Sequence, residues 1–526
     1  YLILIFLTSK HNIMKRYIKT YLTAIVFICT CLSSCVDLDP VDYSEINPSN
    51  FPQSEEDLKA LVLSCYYPLR GNWWDGIHSP SERGVMFVND ATTEILTQTW
   101  GPAYDCSLLN FFPETEGVTF FYYENKEPYG FANKISRCTL VLDQIEKSAL
   151  SNDLKARYGA EVRCARGFLS YILFDMYGPL VIAPIEVLLN PLEETPLPRL
   201  SYDEMVKFIE DDLLFAADNL PYPGATEYGK FSKGLAKMLL IRLYLHETVN
   251  NKEYYTKVEA LARELMDSKY GYQLMSDYPA MFELGGQGSA NKEIIWAIPS
   301  SSEGPNMNQW HMGALPTDFN QNGMGAGWGI CTSTWWFYDT FEPSDTRKTY
   351  LLDHYTNAAG EVIDRNTPNS PLATGPIPLK IGYDPSVLGS GGYSDIDVII
   401  YRYADVYLSL AEALVMKPGA SASNYTEALS YVNKVRARAK LKDLKMNDVN
   451  TQEKFIDCIL TERSHEFWCE NGQYRADLIR HDKFVQRAID VTQTPYANKY
   501  KELYPLPLSV ITDGKGQVKQ NPGYDK

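Results

Sequence analysis

The chain has 526 residues and a formal charge of −17, from 66 acidic against 49 basic side chains. That length is ample for a large core. A surface so acidic repels phosphate backbones and anionic headgroups, which makes nucleic acid a poor partner. The composition is unusual in its 37 Tyr and 9 Trp, side chains that join an apolar face to a polar handle and suit wet interfaces or sugar rings.

Met14-Lys15-Arg16-Tyr17-Ile18-Lys19 precedes an apolar run from Tyr21 to Leu32, which ends in Leu32-Ser33-Ser34-Cys35. A basic start, a short apolar middle and small residues ahead of a cysteine are the layout of a secretory signal. The run falls short of the roughly 20 apolar residues that span a bilayer. Its last four residues resemble the lipobox of bacterial lipoproteins, which implies Cys35 as lipid attachment site. Asp37 and Asp39 resemble the acidic signal that sends Bacteroidetes lipoproteins to the cell surface. Residues 1–13 read as an over-extended gene start, so 1–34 are set apart as leader plus signal peptide and 35–53 as a lipid-anchored tether. The alternative is an uncleaved N-terminal membrane helix. One long span from Tyr1 is interrupted by Lys10, His11, Lys15, Arg16 and Lys19.

Seven cysteines follow Cys35: Cys65, Cys106, Cys138, Cys164, Cys331, Cys458 and Cys469. Their odd number, wide spacing and lack of a C-x-x-C indicate neither a disulfide framework nor a zinc site. Cys65, Cys138 and Cys458 fall on apolar helix faces, where cysteine packs as a small hydrophobe.

Ser54-Glu55-Glu56-Asp57 opens a first helix with a capping-box pattern, and Leu58, Leu61, Val62, Cys65 and Leu69 keep helical spacing. Residues 70–127, rich in Gly, Pro and aromatics, read as long loops. Helical periods resume over Phe131–Ile145 and Leu154–Tyr177, the latter ended by Gly178-Pro179. Further helices are expected from Ser201 to about Leu220, over Ser232–Glu247 and over Asn251–Ser268. Residues 270–400 hold dense Gly and Pro and one strand-like run, Glu293–Pro299, and read as a loop-rich insertion. Helices return at Tyr401–Met416, Asn424–Ala439, Thr451–Cys469 and about Tyr474–Ile489, before an extended tail. A faint repeat relates Tyr255, Leu261, Ala262 and Leu265 to Tyr425, Tyr431, Val432 and Val435. Helical hairpins of this kind bury their apolar faces by stacking.

Several stretches together resemble the SusD/RagB family. Arg163-Cys164-Ala165-Arg166-Gly167-Phe168-Leu169, continuing through Tyr171, Phe174 and Asp175 to Tyr177-Gly178-Pro179-Leu180, is similar to one family helix. Arg402-Tyr403-Ala404-Asp405-Val406-Tyr407-Leu408 with Ala411-Glu412-Ala413 is similar to another, with Asp405 where the family has Glu. Glu462-Arg463, Glu466 and Glu470 through Arg480 match a third block. Tyr504-Pro505-Leu506-Pro507 and Gln520-Asn521-Pro522-Gly523-Tyr524 close the pattern after a longer turn at Asp513–Gly516. The resemblance implies a mainly α fold: a tetratricopeptide-like, right-handed helical-hairpin scaffold over 54–69, 131–268 and 401–489, with a large, partly β insertion at 270–400, all in one domain, 54–526. From the residues themselves, the interleaved charges Glu462, Arg463, Glu466, Arg475, Asp477 and Arg480 suit an ion network that docks the C-terminal helices. The competing reading is a catalytic carboxylate pair.

No G-x-S-x-G, H-E-x-x-H, Walker A loop or dinucleotide fingerprint is present, and neither catalytic residues, cofactor nor metal is assigned. The resemblance implies a non-catalytic binder of oligo- or polysaccharide at the outer membrane, partnered by a SusC-like TonB-dependent transporter and anchored to the membrane by lipid. It places ligand sites in loops on one face, which here hold Trp73, Trp74, Arg83, Asn89, Trp100, Tyr104, Trp310, Asn320 and Trp328. Glycines flank Trp328 in Gly325-Ala326-Gly327-Trp328-Gly329. At least one of Trp335 and Trp336 is expected in the core. Peptide or another nutrient is the alternative ligand, and a helical glycoside hydrolase, which needs a carboxylate pair at a set spacing, is the alternative enzyme.

Overall fold

The computed structural model describes residues 52, 54–72, 76–99, 104–122, 130–193, 195–304, 306–386 and 392–524. It divides into two units, Tyr1–Asp57 and Leu58–Lys526, and the helical core belongs to the second. Helix α1 (Glu55–Tyr66) starts with the expected reciprocal cap. Ser54 Oγ accepts from the Asp57 N–H at 3.1 Å, and the Asp57 carboxylate accepts from the Ser54 N–H at 3.0 Å. In chain order follow α2 (Val85–Ala91), α3 (Ala132–Lys147), α4 (Asn152–Tyr177), α5 (Tyr202–Asn219), α6 (Lys233–Glu247) and α7 (Tyr254–Leu265). The insertion carries α8 (Trp310–Ala314) and α9 (Trp335–Asp339), and the chain then forms α10 (Tyr403–Met416), α11 (Ala422–Arg438), α12 (Gln452–Phe467) and α13 (Gln473–Arg480).

From α3 to α7 each of these helices packs on the next, and α7 packs directly on α10 across the whole insertion. Helix α10 then receives α11 and α12. The fold is therefore mainly α, with helices stacked in sequence order, as hairpin stacking requires. Helix α6 is buried on nearly every side because its sequence is apolar all round, from Leu235 to Leu245. Helix α7 buries one stripe, Tyr255, Val258, Ala262 and Leu265, at helical spacing. The matching residues Tyr431, Val432 and Val435 of α11 are buried as well, so both arms of the faint repeat face α10. Helix α4 ends at Gly178, whose φ of +72° a side chain would strain. Gly167 lets α4 approach α5, since a Cβ there would lie 2.9 Å from Leu213 Cδ2.

Among the described residues strands occur as four antiparallel pairs: β1 (Leu96–Gln98) with β3 (Cys331–Ser333), β2 (Ile294–Ile298) with β8 (Val398–Arg402), β4 (Leu351–Leu352) with β7 (Ile377–Pro378), and β5 (His354–Thr356) with β6 (Val362–Asp364). The expected strand at Glu293–Pro299 is β2. Its partner was not legible: Tyr401 and Arg402 end β8, so the helix expected from Tyr401 begins at Tyr403. Reading 70–127 as loops fails at α2, whose seven residues are all buried. A helix with no exposed face shows no amphipathic period. The helix expected to reach Ile489 stops at Arg480, where Asp482 takes a φ of +55°.

The C-terminal charges form the expected network, and it extends further than the motif suggested. Arg402, 0% exposed, reaches Glu293 at 2.7 Å, Glu466 at 2.6 Å and Glu470 at 2.7 Å. Arg438 pairs with Glu293 and Glu466, while Arg347 pairs with Asp345 and Glu462 at 2.7 Å each. Arg463 bridges Asp405 and Asp477, and Arg480 bridges Asp477 and Glu412. Arg475 departs from the pattern and donates to the backbone carbonyls of Lys501 and Glu502. Burial by itself would raise the Glu466 pKa, but the guanidiniums of Arg438, Arg402 and Arg347 hold it down to about 2.

Lys501 is a different case. It is 0% exposed, donates to the Phe111 carbonyl at 2.5 Å and lies 4.5–5.0 Å from the ring centroids of Phe111, Phe112, Tyr500 and Tyr524. Burial lowers its pKa to about 8.

Two outcomes follow for stability. Arg402→Met leaves three carboxylates without their shared cation and costs about 3–5 kcal/mol in urea unfolding, whereas Lys207→Ala, which breaks the exposed pair to Asp211, leaves the unfolding midpoint essentially unchanged. Above pH 8 the folded chain sheds the Lys501 proton while the unfolded chain keeps it to about 10.5. This group therefore adds stability as pH rises from 8 to 9.5, and Lys501→Met loses that rise.

Candidate functional site

The β1–β3 ribbon is the element that organises the loop face. Leu96 pairs with Ser333, Thr97 with Thr332 and Gln98 with Cys331. One residue on, the Thr99 N–H donates to the Ile330 carbonyl at 2.9 Å, and its hydroxyl donates to the Gly329 carbonyl at 2.5 Å. The segment entering residue 100 is thereby laid beside Trp328-Gly329-Ile330.

Trp328 is 40% exposed. Its backbone is fixed against α8: Trp328 N–H donates to Met312 O at 2.7 Å, Gly329 to Leu315 at 2.8 Å and Ile330 to Gly313 at 2.8 Å. Gly327 is needed for this close approach, because a Cβ there would lie 2.4 Å from the Leu315 carbonyl. Gly329 takes a φ of +59°. The glycines thus press the strand flat and leave the indole outside.

At the other end of β3 stands Trp336, also 40% exposed. Thr334 caps α9 by accepting from the Phe337 N–H. Phe337 and Phe341 turn inward at i, i+4, which leaves Trp336 outward. The Arg487 guanidinium lies 5.1 Å from its ring centroid. Trp335 is half-buried, with its indole N–H on the Leu372 carbonyl at 2.8 Å and Arg365 3.5 Å from its centroid. Neither ring is fully buried, so the core position expected of the pair belongs to Phe337. The Phe337/Phe341 spacing was the available signal for Trp336.

The loop of Glu82 and Arg83 approaches the same ribbon. Burial raises the Cys331 thiol pKa and the Glu82 charge raises it further. Burial also raises the Glu82 carboxyl above its ordinary range. Arg83 is half-buried, with its Nε 3.9 Å from Glu82. Among the described residues no cluster of three His, Cys, Asp or Glu side chains converges as metal ligands would. The arrangement offers flat rings and scattered polar groups, which suits stacking and hydrogen bonding.

Residues 373–524 match the SusD family model. The starch-binding protein SusD of Bacteroides thetaiotaomicron is 22% identical, over 97% of this chain and 99% of its own. A SusD superfamily protein from Bacteroides vulgatus superposes with a TM-score of 0.71 at 20% identity, covering 90% of this chain and 99% of its own. Surface glycan-binding protein A from Bacteroides thetaiotaomicron, in complex with laminarihexaose, superposes with a TM-score of 0.67 at 18% identity, covering 89% of this chain and 99% of its own. Over nearly its whole length the chain is similar to SusD, and it shares the fold of the SusD superfamily structures.

Within this SusD-family fold the expected site residues separate. Trp328 and Asn320 are exposed and Arg83 is half-buried. Two others are structural. Trp310 is 1% exposed, with its indole N–H on the Pro378 carbonyl at 2.6 Å and Phe87 edge-on at 6.0 Å, so it packs the base of the insertion and has no free face. Asn89 is 5% exposed and accepts from the Tyr504 hydroxyl at 3.0 Å. Tyr104 begins a short helix, Tyr104–Ser107. Its side chain, together with Trp73, Trp74, Trp100 and Cys35, lies outside the described residues.

Trp310→Ala is expected to cost about 3–5 kcal/mol in urea unfolding, and Trp328→Ala within about 1 kcal/mol. Equal costs would remove the distinction between core ring and platform.

Proposed function

We propose that this chain captures oligo- or polysaccharide at the cell surface without chemical change and passes it to a SusC-like TonB-dependent transporter. A lipid on Cys35 holds it to the outer membrane, with 1–34 removed, 35–53 as tether and 54–526 as the binding domain. The observation that carries this reading is Trp328, an indole held outside a rigid glycine-backed strand. A sugar ring stacks its C–H face on such a platform, and its hydroxyls meet groups such as Asn320 and Arg83. Trp336, at the far end of β3, extends the surface. The similarity to starch-binding SusD and to a glycan-binding protein in complex with laminarihexaose supports a glycan as ligand.

Peptide capture is the second reading. It would use a free strand edge, and the strands here run only two to five residues, which favours the glycan. No described helix is long and apolar enough to cross a membrane.

In isothermal titration against a polysaccharide panel, Trp328→Ala and Trp100→Ala should each weaken the bound glycan. Losing one aromatic contact of about 0.5–1.5 kcal/mol corresponds to roughly two- to twelvefold. Undiminished binding by both variants would remove the ribbon as the site.

A further inference from the structure

The helical layer contains a cavity that the loop face does not explain. Its inner chamber has about 30 Å³ and is lined by His78, Asn89, Phe168, Tyr171, Arg242 and Gln473 among others. Tyr171, Asp175, Arg242 and Ala476 also line an outer pocket of about 200 Å³, beside Tyr202, Val249 and Asn250. The two share those four wall residues, between α4, α6 and α13. No residue of the 270–400 insertion lines either of them.

The closed end is polar and unpaired. His78 is 4% exposed, and neither ring nitrogen has a hydrogen-bond partner; Arg242 is 2% exposed, and its Nε and Nη1 have none. Charge does not call for an anion. Arg242 already pairs with Asp477 at 2.8 Å, its Nη1 lies 4.0 Å from Asp405 at ion-pair rather than hydrogen-bond distance, and Arg463 and Arg480 complete a balanced cluster with Asp405, Asp477 and Glu412. Asp175, 3.9 Å from His246 Nε2, adds an acceptor on the wall shared by both spaces.

The unmet groups are therefore of mixed kind. Arg242 only donates, Asp175 only accepts, and the imidazole of His78, kept neutral by burial with its pKa lowered to about 3, does one of each. A hydroxyl does both. The remaining walls include Phe168, Tyr171, Tyr202 and Leu503, apolar surfaces suited to C–H groups. At about 200 Å³ the outer pocket is smaller than the roughly 300–1,000 Å³ of drug-sized ligand sites, which limits it to a single small molecule. We propose that this pocket is a second ligand site, distinct from the ribbon, for one neutral polyhydroxylated molecule of monosaccharide size. Its hydroxyls meet Arg242 and Asp175, and ordered water fills the chamber behind it to reach His78.

The test is isothermal titration of the full mature chain with glucose, galactose, mannose and xylose, alongside sodium sulfate and glycine as charged controls. At least one sugar should saturate one site per chain. Val249→Trp and Asn250→Trp, both at the exposed mouth and clear of the ion cluster, should keep the wild-type Tm and weaken that sugar at least tenfold. Trp328→Ala should leave it unchanged. The proposal falls if no sugar saturates, if sulfate or glycine binds instead, or if both mouth variants bind as wild type. It also falls if soaked crystals show only separate waters in the pocket. Loss of the monosaccharide signal in Trp328→Ala would assign the sugar to the ribbon, ending this proposal while leaving the surface reading intact.

Discussion

A buried guanidinium is tolerated only when its donors meet acceptors, and the rest of this fold is arranged around that demand at Arg402. Nε faces Glu470, Nη1 faces Glu293 and Glu466, and Nη2 faces Glu470 and the Glu466 carbonyl. These partners come from separate places in the chain. Glu293 stands just before β2, Glu466 lies on α12 and Glu470 follows it, while Arg402 ends the strand paired with β2. The two ends of the insertion are thereby clamped to each other and to the C-terminal helices. With no water to stand in, a missing partner leaves charge exposed to a low-dielectric interior. The arrangement is all or none.

This clamp relates the scaffold to the loop face. Helix α7 packs on α10 as though nothing intervened, so the stack runs on across the insertion, while Glu293 of the insertion supplies part of the clamp. The insertion depends on the stack in turn, because its own strands are pairs of two to five residues, too short to hold a fold by themselves. Its rigidity comes from the neck and from rings buried at its base, such as Trp310 under Pro378. A platform held this way loses little conformational entropy when a ligand arrives, since the backbone of Trp328 is already fixed.

The helices were legible wherever one face is apolar and the other wet. α4, α5, α7, α11 and α12 stand close to where period and capping residues place them, and Ser201 forms the full capping box with Glu204. Elements buried on every side were not. α2 has no polar face, and β8 reads as the start of α10 because its apolar residues run straight into that helix. The charge network was legible as a motif, yet Glu293, Arg347 and Arg438 were not. Nothing local marks a residue whose partner lies more than a hundred positions away. The loop site was half legible for a related reason. Tryptophan count and glycine context point to Trp328, but the same composition holds for Trp310, and only the cross-chain contacts of α8 bury one and expose the other.

The two kinds of tryptophan have different consequences for change. Trp310 and Trp468 fill space and place their indole N–H groups on buried carbonyls, so replacing either leaves a void together with an orphaned acceptor. Trp328 fills no core space, and its position is set by backbone hydrogen bonds that any residue at 328 can make. The side chain there is 40% exposed, so its replacement disturbs packing less than that of a buried ring. The same holds for Trp336, which rides on a helix turn anchored by Phe337 and Phe341. Substitution of these exposed rings therefore leaves the neck undisturbed, whereas a change at Arg402 or Glu466 acts on everything the neck supports.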